Sequence, residues 1–423
     1  MFRIVHLLSI SLLCSPALAQ DVLRGHGGPV RALAVNGAAR ELVSGSFDST
    51  VIVWDLDRSV AKRVLRFHNG PVNAVAVLGD GCFASGGEDK RIAVWCGEGG
   101  TPTHVLDGHE APVTSLAAVG TKLVSGSFDG TARLWDISQR PVIVRGHEHG
   151  RAVTALASYS GGGAFVVAGA DGRTSRVGGG TTSGTLAGSL AAIAVAPDGE
   201  IVAVGGDGNV RLVTAELTVS ASIEQEGTPL ASLALSSDGR LIATAGLRGG
   251  IAIIDRASRK VIHRLIGPGL PVWSLAFDTD NRTLISGGAD RVIRRWDAVA
   301  GTALTSTVPE RDVVAEAAAS GERGAVVFRA CQACHTLSPD GGNRAGPTLH
   351  GVLGRRVGTA PGYAYSDALP AMQIVWSKDT ISRLFEVGPT AYTPGTKMPE
   401  QTITDPADRK ALVDWLARVT SGK

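Results

Sequence analysis

The sequence predicts an all-β ring of seven four-stranded blades followed by a smaller second domain. One pattern recurs along the first part of the chain: Gly-His, an alternating apolar strand, a Ser-Gly-Ser-like strand ending in Asp, and a strand closing on Trp-Asp. The strand-closing positions 54, 95, 135, 177, 213, 254 and 296 are spaced by 36 to 42 residues, the period of a propeller blade, and seven copies close a ring. The pattern stops near Val308, and 423 residues exceed what one hydrophobic core usually serves.

The chain begins with Arg3, an apolar run from Ile4 to Leu13, and Ala17-Leu18-Ala19 ahead of Gln20. That order predicts a secretory signal peptide over residues 1–19, cut after Ala19, because its apolar core is too short to span a bilayer. Cys14 follows bulky Leu13, which argues against lipoprotein processing. No later stretch is apolar for long enough to predict a membrane span, so the mature chain is expected to be soluble and periplasmic. Net charge is +2 and charged residues make up 19 %. Such a balance argues against a nucleic-acid binder, which carries a concentrated basic stripe.

The clearest repeat runs from Gly25-His26 through Ser44, Gly45, Ser46 and Asp48 to Trp54-Asp55. A second contains His68, Ser85, Asp89 and Trp95, and a third Gly108-His109, Ser125, Asp129 and Trp135-Asp136. Weaker copies follow: Gly146-His147 leads to Asp171 and Val177, Asp207 to Val213, Arg248-Gly249 to Ile254-Asp255, and Asp290 to Trp296-Asp297. Residues 20–308 resemble the WD40 repeat family. That resemblance implies that His, Ser, Asp and Trp form one hydrogen-bonded set per blade, matched by His26, Ser44, Asp48 and Trp54 and again by His109, Ser125, Asp129 and Trp135. Out of context these are hydrolase residues. Their repetition in each blade makes them structural, because a catalytic site has no reason to recur, and no catalytic constellation emerges.

The last blade needs an outer strand, and Asp21 to Arg24 is the expected donor, with Thr302 to Val308 as rival. Cys82 and Cys96 lie equally far from Asp89 in a predicted hairpin turn. They are either a cross-strand disulfide or two buried thiols.

Residues 309–317 read as a linker, and residues 318–423 as the second domain. Within it Cys331-Gln332-Ala333-Cys334-His335 is the c-type haem attachment signature. Two sulfurs bond the porphyrin edge as thioethers, and the adjacent imidazole is thereby held against the iron. A thioredoxin-like pair lacks that histidine, and a zinc site would want a second ligand pair.

The downstream sequence resembles class I cytochrome c of the mitochondrial type, which implies an all-α domain and one covalently attached haem c. Gly346-Pro347-Thr348-Leu349-His350-Gly351 matches the family loop in which the carbonyl of Pro347 receives the proton of His335. Gly354-Arg355 and Ala360-Pro361-Gly362-Tyr363-Ala364-Tyr365 match the stretch around the haem propionates, and Trp376 matches a propionate donor. Tyr392-Thr393-Pro394-Gly395-Thr396-Lys397-Met398-Pro399 matches the sixth-ligand loop, which implies His335 and Met398 as the metal ligands. Met372, the other methionine of the mature chain, has no such motif, and His350 reads as a loop residue. Leu384 or Phe385 falls where many relatives carry a tyrosine. The segment from Asp405-Pro406 onward reads as a capped amphipathic helix with Leu412, Trp415, Leu416 and Val419 on one face, expected to pack near Val327 and Phe328.

From Ser320 onward there are twelve Lys plus Arg against nine Asp plus Glu, a bias of +3 that permits but does not compel steering toward an acidic partner. The expected function is single-electron transfer by a His/Met-ligated haem. Redox partner proteins would dock on the propeller rim or the exposed haem edge. A propeller that itself binds a cofactor and feeds electrons to the haem, or a redox sensor, are the rival readings.

Overall fold

A computed structural model describes residues 19–20, 22–79, 81–119, 121–138, 141–159, 163–178, 180–186, 188–225, 227–306 and 313–421. The expected signal segment lies outside these residues except at Ala19. Seven antiparallel sheets form the propeller. The first blade comprises Val30–Asn36, Glu41–Ser46, Thr50–Asp55 and Val60–Arg66. Each blade lays its first strand against the first strand of the next, and Val272–Phe277 of the seventh returns to Val30–Asn36 of the first.

The glycine of the Ser-Gly motif is what allows this stacking. A Cβ on Gly45 would lie 2.7 Å from Val72 of the next blade, and one on Gly86 2.5 Å from Val113. Across the closing seam, a Cβ on Gly287 would lie 2.6 Å from Val30. One backbone therefore approaches the neighbouring blade's valine directly. These valines are fully buried, and burial of each side chain is worth about 1.5–3 kcal/mol.

The polar sets of the first three blades are complete. His26 faces Asp48 through Nδ1 at 3.1 Å and Ser44 through Nε2 at 2.7 Å, and Trp54 Nε1 donates to the same hydroxyl at 2.8 Å. His68 with Asp89, Ser85 and Trp95, and His109 with Asp129, Ser125 and Trp135, repeat the arrangement at 2.7 to 3.0 Å. In the seventh blade Trp296 still donates to Ser286 at 2.8 Å. The fourth blade corrects the sequence reading. His147 sits in the outer strand of the third blade, Val142–Glu148, and pairs with Ala132. The imidazole packed against Gly169 and Asp171 is that of His149, which is buried and whose ring nitrogens have no hydrogen-bond partner among the described residues.

Both candidate closing segments are used. Val22–Arg24 pairs with the Val292–Asp297 strand at Arg294, Ile293 and Val292, while Thr302–Ala303 pairs with the other end of that strand at Trp296 and Asp297. Ala19–Gln20 and Thr305–Ser306 then pair with each other. The outer edge is built from both ends of the propeller sequence. Cys82 and Cys96 are bridged, S–S 2.06 Å, one position beyond the Phe83 and Trp95 pair.

Among the described residues the second domain has six α-helices: α1 (Val313–Ala319), α2 (Arg323–Phe328), α3 (Ala368–Ala371), α4 (Lys378–Val387), α5 (Pro389–Tyr392) and α6 (Pro406–Val419). Extended and turn segments join them, so it is helical but not purely so. Val314 and Ala318 are buried in its core, so this domain's packing already begins inside the segment read as linker. Asp405 caps α6 by accepting from Ala407 N at 2.8 Å, with Pro406 in the first turn. Helices α2 and α6 cross where a Cβ on Gly324 would lie 2.3 Å from the Ala411 carbonyl, and there Phe328 and Trp415 meet with ring centroids 5.2 Å apart.

Candidate haem site

Helix α2 runs into a tight turn that carries the attachment motif. Cys331 N donates to Phe328 O at 2.8 Å, Cys334 N to Cys331 O at 3.1 Å, and His335 N to Cys331 O at 3.0 Å. The crossing of α2 on α6 thus fixes where the two sulfurs and the imidazole emerge.

His335 is held from its far side. Its Nδ1–H donates to Pro347 O at 2.7 Å, which fixes the tautomer and leaves Nε2 as the nitrogen with a lone pair. Gly346 lies flat against the ring: a Cβ there would come within 2.3 to 2.7 Å of three ring atoms. Burial pushes the imidazole down to about 4, so it is neutral at ordinary pH, as a metal ligand must be. Burial also pushes the Cys331 thiol up to about 12 and raises Cys334. Neither sulfur has the depressed pKa of a dithiol redox centre.

Cys331, Cys334, His335 and Met398 all line one cavity of ≈ 420 Å³. The rest of the expected set, Pro347, Arg355, Tyr365 and Trp376, lines it too. Its walls are otherwise mostly apolar, drawn from Phe328, Leu349 and Val352 on one side and Leu384, Phe385 and Leu412 elsewhere. Arg355 donates to Thr348 O at 2.5 Å and to His350 O at 3.1 Å, and burial lowers its guanidinium. A half-buried cation in the wall of an apolar cavity favours an anionic group on whatever fills it. Two sulfurs and an aimed imidazole at one wall, a thioether in the lining, and a cation with phenol and indole groups suit a flat apolar macrocycle with acidic edges.

Met398 is delivered by the loop after α5. Thr396 N donates to Thr393 O at 3.0 Å, Gly395 adopts φ +83°, and Met398 N donates to Thr396 Oγ1 at 3.1 Å. Met372 ends α3 and His350 supplies a carbonyl to Arg355, and neither lines the cavity. Leu384 and Phe385, at the position of the expected tyrosine, both do.

Sequence reasoning missed one wall altogether. Gly27, Gly28, Pro29, Phe47, Asp48 and Arg66, all from the first blade, line the same cavity. The available signal is the glycine pair after His26, where the second and third blades have Asn69 and Glu110 after their histidines.

Comparison with known families agrees with both halves. The WD domain, G-beta repeat model matches residues 19–55, 60–96, 100–136, 180–213 and 259–297, leaving the inner strands of the fourth and sixth blades unmatched, where the polar set has decayed. The cytochrome c model matches residues 321–420. Cytochrome c of Gibberella zeae is 42 % identical over 96 residues, 22 % of this chain and 90 % of that protein. The Cochliobolus lunatus protein is 41 % identical over 100 residues, 23 % and 92 % of the two chains, and the Arabidopsis thaliana protein 41 % over 100 residues, 23 % and 88 %. The chain therefore belongs to the cytochrome c family, whose members carry covalently attached haem c, and it joins that electron-carrying domain to a seven-bladed WD40 ring of a kind that binds proteins.

Proposed function

We propose that this chain is an exported, periplasmic monohaem electron carrier whose propeller docks redox partner proteins. Cys331 and Cys334 would hold the haem as thioethers, and His335 and Met398 would ligate its iron. Pro347 orients His335, while Arg355, Tyr365 and Trp376 take the propionates. The observation that carries this reading is the convergence of two sulfurs, a tautomer-fixed neutral imidazole and the one loop methionine on a single cavity. Bound haem c supplies a one-electron couple there. The residues would do the rest: they would exclude water, neutralise the acidic edge, and supply an imidazole and a thioether to the iron, which would favour the reduced state and a raised potential. The Cys82–Cys96 bridge supports an oxidising compartment, as does the apolar N-terminal segment.

The test is expression with the leader in a host that matures c-type cytochromes, followed by fractionation, the mass of the denatured protein and its reduced spectrum. One retained haem in the periplasmic fraction with a low-spin reduced spectrum is expected. A haem-free mass, or a chain retained in the cytoplasm, contradicts the proposal.

A further inference from the structure

The two domains meet at the cavity itself. Ala345 N donates to Gly25 O at 2.7 Å, and Lys397, beside Met398, reaches Asn69 Oδ1 at 3.3 Å. A Cβ on Gly27 would lie only 2.6 Å from the Cys334 sulfur. Gly27 is not in the left-handed region, so what requires glycine there is the close approach of the cysteine. The polar set of the first blade fixes this wall, since Asp48, facing His26, also accepts from Gly27 N at 2.6 Å. Beside it Arg66, the last residue of the first blade's outer strand, lies over the Tyr363 ring at 5.4 Å. Arg66 lines the cavity, and among the described residues its buried Nε has no hydrogen-bond partner.

We infer that the propeller is a built part of the haem site: its first blade closes the crevice over Cys334, and Arg66 is the cation it contributes to set the reduction potential. This rests on the haem-carrier reading above and deepens it. A positive charge held in a desolvated wall opposes the extra positive charge of the oxidised centre, and a covered edge excludes the water that would solvate that charge. Both effects favour the reduced state. The surface a redox partner meets at this edge is then composite, formed by both domains, and the first blade is not free to bind elsewhere.

The experiment is an equilibrium redox titration of the haem-loaded full chain, comparing the parent with Arg66→Gln, Arg66→Lys, Gly27→Leu and, as a distant charge control, Lys260→Gln. Arg66→Gln is expected to lower the potential by about 59 mV, a tenfold change in the ratio of reduced to oxidised haem at fixed solution potential. Arg66→Lys should retain most of the parent value and Lys260→Gln all of it. Gly27→Leu, which forces the wall off Cys334, should also lower the potential, and it carries the test alone if Arg66→Gln does not fold. Potentials of Arg66→Gln or Gly27→Leu equal to the parent overturn the inference while leaving the carrier intact. A parent chain with no reversible one-electron couple overturns the carrier reading instead.

Discussion

The buried histidines of the two domains share a chemistry and differ in what is left over. His26, His68 and His109 each have both ring nitrogens engaged, one by a carboxylate and one by a serine hydroxyl. His335 has Nδ1 fixed on a carbonyl, and among the described residues nothing bonds its Nε2, while its ring lines a cavity shared with two sulfurs and a methionine. A satisfied imidazole holds blades together. An imidazole tied on one side and open to a cavity on the other is free to serve as a ligand. His149, with neither nitrogen bonded, is the third case, a set that has lost its partners and kept its packing.

Breaking the two kinds of histidine should have different consequences. The largest effect is expected for His335→Ala combined with Cys331→Ser and Cys334→Ser. Covalent haem should fall from one per chain to none by mass of the denatured protein, while urea unfolding still reports a folded propeller. Retained covalent haem would show that the attachment lies elsewhere.

Next comes His26→Ala. It removes one hydrogen bond each from Asp48 and buried Ser44, which keep Gly27 N and Trp54 Nε1 as partners, about 0.5–2 kcal/mol for each bond lost, and should lower propeller stability in urea by about 1–4 kcal/mol. His149→Leu sharpens the comparison, because it removes two unbonded ring nitrogens and should be neutral or stabilising within about 1 kcal/mol. Equal losses at the two positions would mean that packing, not hydrogen bonding, fixes the blades.

Cutting the Cys82–Cys96 bridge by Cys82→Ala with Cys96→Ala opens a short loop and should cost about 2–3 kcal/mol of propeller stability without altering the haem spectrum. Mild acid is expected to do least until it is strong. Burial pushes the Asp129 carboxyl up, but the Thr131 hydroxyl, the Glu110 backbone N–H and His109 bring it down to about 2. Burial likewise pushes the Asp48 carboxyl up, but His26 and Thr50 overcome it and hold the carboxyl well below the usual carboxylate range. A carboxylate depressed on folding contributes stability above its unfolded pKa of about 4 and loses it as pH falls through the folded value. The carboxylate contribution to propeller stability should therefore hold near pH 5 and weaken progressively from about 4 to 2, followed by circular dichroism.

The blade period was legible because a four-stranded blade repeats its buried Trp or aliphatic residue at fixed spacing, and the attachment motif because five adjacent residues carry the geometry. What escaped depends on residues far apart in the chain. His147 and His149 both precede the fourth blade, and only pairing with Ala132 assigns the first of them to a strand. Ring closure was framed as a choice between two segments, yet a six-residue strand offers room for both, Arg24 opposite Val292 and Ala303 opposite Trp296. The first blade's wall of the cavity joins residues some 300 positions apart, and only the paired glycines at 27 and 28 hint at it.

The central proposal, that His335 and Met398 would both ligate the iron of an electron-carrying haem, is tested most directly by oxidised and reduced spectra of the parent and Met398→Ala chains, with and without carbon monoxide. The account predicts a low-spin parent that ignores carbon monoxide and shows the weak far-red sulfur-to-iron band, and a variant that loses the band and binds the gas. A parent that is high-spin and binds carbon monoxide avidly would contradict it, and would mark an iron open for catalysis or sensing.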